Sequence, residues 1–173
     1  QILVAPSGQV VAATSRGIFT SDSLEAGWES SDAPDSSYFI LVGDTSGRLY
    51  AVTSHGYMFT RDPFQNHWRQ CRDQVVYRTG YRFPPAVNTN GHIFIATSST
   101  GMLRSTDHGN TWASINRGLD TASVYAVWHN NGGELFALNW RKGMYRSVDD
   151  GETWQQIDTL HKNVNAIGFD RDG

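Results

Sequence analysis

The densest group of residues able to do chemistry lies between Gln70 and Pro84, where Arg72, Tyr77, Arg78, Tyr81, Arg82 and Phe83 occupy one stretch. A guanidinium can hold a carboxylate through two parallel hydrogen bonds, and neighbouring aromatic rings offer stacking and cation–π surfaces to sugars. Arg16, His55 and Lys142 each precede a glycine that recurs along the chain, and Trp140 and Arg141 stand just ahead of Lys142. Arg16, His55, Arg72, Tyr77, Arg78, Tyr81, Arg82, Trp140 and Arg141 are therefore the ligand-binding candidates. The competing reading makes the charges a solvated rim and packs the Tyr and Phe rings beneath the loop.

Patterns for catalysis are thin. There is no Gly-x-Ser-x-Gly elbow, no His-Glu-x-x-His pair and no glycine-rich phosphate loop. Cys71, the single cysteine, has no evident base beside it and excludes an internal disulfide. No catalytic residue, metal site or cofactor is assigned. Asp149-Asp150-Gly151-Glu152 lacks the ligand spacing of a calcium loop.

The elements that must position these residues follow from composition and repetition. The 173 residues carry a net charge of −3 and are 39% hydrophobic, with 6 Trp, 7 Tyr and 8 Phe, enough to build a core. The small charge does not point to nucleic acid, and no apolar run is long enough to span a membrane as a helix. Glycines, an Asp and a Trp recur in phase: Gly8, Gly47, Gly91 and Gly133, then Asp22, Asp62, Asp107 and Asp149, then Trp28, Trp68, Trp112 and Trp154. The Trp spacings are 40, 44 and 42 residues. Within each unit, short apolar runs precede and follow the first glycine, a third run follows, and a fourth strand starts at the Trp. Four strands in a period of about 40 residues predict an all-β chain of β-propeller blades. The blades are read as 1–37, 38–84, 85–122 and 123–163. Residues 164–173 are read as the start of a further blade, and 73–82 as the one place for a short helical turn. Five first strands imply a piece of a larger propeller, of about six to eight blades. The alternative is a ring of four.

Ser105-Thr-Asp107-His-Gly109-Asn-Thr111-Trp112 and Ser147-Val-Asp149-Asp-Gly151-Glu-Thr153-Trp154 both fit Ser-x-Asp-x-Gly-x-Thr-Trp. This pattern resembles the Asp-box, or bacterial neuraminidase repeat, of sialidase-like β-propellers. The first two units keep an Asp and the Trp but lack the Gly-x-Thr core. The residue types give the box a structural role: Asp accepts from backbone N–H groups of its own turn, Gly takes positive φ, and Trp wedges between sheets. Asp107, Gly109, Thr111, Trp112, Asp149, Gly151, Thr153 and Trp154 are accordingly read as structural, and His108, in a variable slot, as solvated.

The resemblance implies a ligand face built by the loops between blades and between second and third strands. The expected function is a non-catalytic binding or scaffold propeller with a protein or glycan partner, with no nucleic acid and no membrane span. The alternative is part of a sialidase-like or xyloglucanase-like glycoside hydrolase, which needs an acid and a second carboxylate or a Tyr across a cleft. The resemblance also implies a secreted or periplasmic protein.

Overall fold

The computed structural model describes residues 1–33, 38–53, 55–63, 65, 67–71, 83–120, 123–139, 141–158 and 168. These hold four four-stranded antiparallel sheets, each in simple chain order. The first sheet is β1 (Ile2–Val4), β2 (Val10–Thr14), β3 (Gly17–Ser21) and β4 (Glu29–Ser30). The second is β5 (Tyr38–Gly43), β6 (Leu49–Thr53), β7 (Met58–Arg61) and β8 (Arg69–Gln70). The third is β9 (Ala86–Val87), β10 (Ile93–Thr97), β11 (Gly101–Ser105) and β12 (Ala113–Ser114). The fourth is β13 (Ala126–His129), β14 (Leu135–Asn139), β15 (Gly143–Ser147) and β16 (Gln155–Asp158). The predicted strands lie within two residues of these, and each fourth strand begins one residue after its Trp. The predicted helical turn at 73–82 and the strand at 164–169, Gly168 apart, lie outside the described residues.

The chain forms two compact units, Gln1–Arg82 with His108–Asn110, and Phe83–Asp107 with Thr111–Gly173. In the first, Val11, Leu41, Leu49, Phe59 and Trp68 share one core. In the second, Phe94, Met102, Leu135, Tyr145 and Trp154 share another. The second strands β6 and β10 are buried almost throughout. Their continuous apolar runs, rather than alternating ones, reflect cover on both faces.

The hairpins between first and second strands turn on Gly8, Gly47, Gly91 and Gly133, all at positive φ. In three of them a buried Asx side chain does as much. Asp44 Oδ1 accepts from the Ser46 and Arg48 N–H groups, Asn88 Oδ1 from those of Asn90 and His92, and Asn130 Oδ1 from that of Glu134. These side chains satisfy backbone donors that the tight turn strips from the ladder.

Two of the repeated Trp residues close on the sheet before them. Trp68, 7% exposed, donates its indole N–H to Ser31 Oγ at 2.6 Å, and Trp154, 5% exposed, donates to the Ile115 carbonyl at 2.8 Å. Ser31 and Ile115 each follow the last strand of the preceding sheet directly. The Trp154 N–H also reaches the Arg117 carbonyl. Gly118 fits beneath this clamp at φ +90, where a Cβ would stand 2.1 Å from the Trp154 carbonyl oxygen. Trp28, in the first sheet, is 41% exposed, and Trp112 is half-buried. Trp154→Ala should cost about 3–5 kcal/mol and Trp28→Ala less than about 1 kcal/mol, with Trp112→Ala between them. Urea melts of the three variants measure this ordering.

Candidate functional site

The two full Ser-x-Asp-x-Gly-x-Thr segments form superimposable turns. Asp107 Oδ1 accepts from the Ser105 hydroxyl (2.9 Å) and the Thr111 N–H (2.8 Å), and Oδ2 from the Thr111 hydroxyl (2.7 Å). Asp149 makes the same three bonds with Ser147 and Thr153, at 2.8, 2.8 and 2.5 Å. His108 and Asp150 sit at positive φ, followed by Gly109 and Gly151 at positive φ. A Cβ on Gly151 would lie 2.5 Å from Ile115 Cδ1. The carboxylates are thus occupied by their own turns. The Thr153 hydroxyl, then its N–H, holds the Asp149 carboxyl below the ordinary value of 3.8.

The solvated reading of His108 is corrected. The ring is half-buried, with Nδ1 3.2 Å from the Tyr50 hydroxyl. Asp150, in the equivalent slot, accepts from Asn88 Nδ2 (2.8 Å), meets His92 Nδ1 (2.6 Å) and pairs with Arg104. In the fourth sheet the variable residue of the turn therefore links to polar groups of the third.

The phasing of the first two aspartates is also corrected. Strand pairing sets Val10 opposite Ser21, Leu49 opposite Arg61, Ile93 opposite Ser105 and Leu135 opposite Ser147. By this register Ser23 and Pro63 stand where Asp107 and Asp149 do, and Asp22 and Asp62 fall one residue early. Asp62 instead pairs with Arg48.

Of the ligand-binding candidates, Arg16, His55 and Arg141 are exposed. Arg72, Tyr77, Arg78, Tyr81, Arg82 and Trp140 lie outside the described residues. Beside Arg141, the Asn139 carboxamide oxygen accepts from the Arg141 and Lys142 N–H groups, each at 2.7 Å. Lys142 Nζ lies 3.0 Å from Asp120 Oδ2, and the Tyr145 hydroxyl donates to Asp120 Oδ1. A Tyr–carboxylate pair has the composition of a glycosidase nucleophile and its base. Tyr145 is 2% exposed, however, and burial, followed by the hydrogen bond to Asp120, raises its pKa. The same bond, with help from Lys142, lowers that of Asp120. The buried ring and the bond to Asp120 let this phenol pin a loop.

The register draws attention to a residue the sequence reading passed over. Ser21, Ser105 and Ser147 are buried and bond into their turns. The second sheet has Arg61 there, 6% exposed. Its Nη2 donates to Gln9 Oε1 at 2.7 Å, and Cζ lies 5.6 Å from the centroid of a Trp68 ring. Nε is buried without a partner. Arg48, Arg104 and Arg146 each have a carboxylate partner. Among the described residues Arg61 has none. Burial, the larger effect, lowers its pKa, and Asp32 opposes the shift. Arg61 lines a cleft of about 420 Å³ with Gln9, Thr20, Glu29, Asp32 and His67, and with Ser30 of the outer strand β4 and Ser31 just after it. A second cleft, of about 350 Å³, shares Gln9, Thr20 and Glu29 and extends past Trp28. The signal lay in the repeat itself: three serines and one arginine in a single column.

No family model and no curated protein sequence matches the chain. Solved structures do. It is similar to the GH74 xyloglucanase of Xanthomonas campestris, with 21% identity and a TM-score of 0.66, over 87% of this chain and 23% of that one. It is similar to YCF48 bound to a D1 peptide, with 18% identity and a TM-score of 0.61, over 87% of this chain and 50% of that one. Virginiamycin B lyase of Staphylococcus aureus matches at 12% identity and a TM-score of 0.65, over 92% of this chain and 55% of that one. The four sheets are those of a β-propeller segment, spanning about a fifth to about half the length of the propellers it matches.

One consequence is testable through pH. A carboxyl whose folded pKa is depressed adds stability above its unfolded pKa and loses it as pH falls through the folded one. Asp149→Asn should therefore be destabilising at pH 7, with the gap to the parent protein narrowing below about pH 4. Thermal melts of both proteins between pH 2.5 and 7 would record it; a gap independent of pH would remove the ionised carboxylate from the turn.

Proposed function

We propose that this chain is a non-catalytic binding segment of a β-propeller, presenting its loops and polar clefts to a glycan or protein partner. The observation that carries this is the fate of the Tyr145–Asp120 pair and of the two turn aspartates, while Glu29 and Asp32 stay exposed at the cleft beside Arg61. Tyr145 and Asp120 are locked to each other, and Asp107 and Asp149 are consumed by their turns. What is left facing solvent is a set of polar clefts and exposed arginines, which suit recognition. Ser105–Trp112 and Ser147–Trp154 read as Asp-boxes of the sialidase-like kind, supported by their bonding and by their phase in the repeat. The structural neighbours include a xyloglucanase and a propeller bound to a peptide, and both kinds of ligand fit the proposal. Export from the cytoplasm is part of the same reading.

The purified protein, screened on a glycan array and on a peptide array, should give saturable binding on one of them. Incubation with the bound glycan should release no new reducing ends. Release that scales with protein concentration would replace this reading with a glycoside hydrolase.

A further inference from the structure

We propose that the cleft around Arg61 is a subsite for a neutral, hydroxyl-rich saccharide. The inference deepens the binding reading above and rests on it. The repeat provides an internal control at this position. Three sheets place a buried serine at the end of the third strand, so the architecture does not require a cation there. Among the described residues Arg61 is bonded to Gln9 and lies over the Trp68 ring, no carboxylate stands within ion-pair distance of it although Asp32 shares the cleft, and its Nε is unsatisfied. A buried guanidinium without a carboxylate is costly, and proteins that break their own local rule tend to do so at functional sites.

The chemistry of the lining selects the ligand. Every residue around the cleft carries oxygen or nitrogen in its side chain, so the lining is mainly polar. Arg61 supplies donors, while Glu29 and Asp32 supply acceptors, and Thr20 and His67 can serve as either. A ligand whose groups all donate and accept at once satisfies such a mixture, and sugar hydroxyls do. An anionic ligand would meet two carboxylates for one guanidinium. Trp68 fixes the arrangement from below, since its ring underlies Arg61 and its indole N–H holds Ser31. An adjoining cleft shares Gln9, Thr20 and Glu29, leaving room for a longer oligosaccharide.

The repeat also supplies the test substitution. Arg61→Ser installs the residue found in the other three sheets and removes the unpaired cation. It should melt at or above the temperature of the parent protein. Calorimetric titration with cellotetraose, xylotetraose and mannotetraose should find at least one ligand for the parent protein, weakened at least tenfold by Arg61→Ser. The double variant Glu29→Gln/Asp32→Asn, altered only at exposed positions, should lose binding similarly. Trigalacturonate and sialyllactose should bind more weakly than the neutral sugars. Destabilisation by Arg61→Ser would make the arginine structural and overturn the proposal. Preference for the acidic sugars would overturn it too. Neutral sugars that bind the parent and Arg61→Ser equally would remove this cleft while leaving the glycan-binding reading intact. No binding of any neutral sugar to the parent protein would overturn the subsite, and a ligand on the peptide array would then preserve the broader reading alone.

Discussion

Trp154 fills a core with its ring and satisfies the Ile115 carbonyl with its indole N–H, and the rest of the second unit depends on both contacts. A four-stranded sheet of this size has two faces and cannot bury both by itself. Each needs a neighbour, and the residue that secures the neighbour must combine a large apolar area with one directed polar bond. Trp meets that requirement. Trp68 repeats the solution in the first unit with Ser31 as acceptor. The Ser-x-Asp-x-Gly-x-Thr turn serves the clamp, because it brings the chain from the third strand to the Trp in a fixed conformation. Asp150 then uses the same turn to reach polar groups of the third sheet.

Much of this was legible in sequence because a repeat amplifies weak local signals. One apolar run of four residues is ambiguous; four such runs, each in phase with a Gly and a Trp, are not. The strands and the hairpin glycines follow from that phase. What escaped depends on register. Asp22 and Asp62 look equivalent to Asp107 and Asp149 by motif, but backbone pairing puts Ser23 and Pro63 in their place. A carboxylate one residue early points to different neighbours, and Asp62 accordingly pairs with Arg48. His108 looked solvated because sequence does not reveal where a left-handed residue aims its side chain. Asp44, Asn88 and Asn130 were invisible as hairpin supports because Asx residues are common near turns for several reasons.

The same register separates what the architecture needs from what it tolerates. Buried serine is the default at the end of the third strand, and Arg61 is a departure with an electrostatic cost. Tyr145 and Asp120 provide the opposite case, a pair with catalytic composition in which the tyrosine is buried and its hydroxyl is committed to the exposed aspartate. Environment, more than residue type, distinguishes the two. The arginine borders an open polar cleft, and the tyrosine lies inside a core.

Each unit rests on its Trp clamp, and hydrogen exchange of the indole N–H groups in the native protein measures this most directly. The Trp68 and Trp154 indole protons should exchange only through opening of their whole unit, with protection matching the most protected backbone amides of β6 and β14. The Trp28 indole should exchange far faster. If Trp154 exchanged as fast as Trp28 while the strand amides stayed protected, the sheets would be holding together without the clamp, and the account would be wrong.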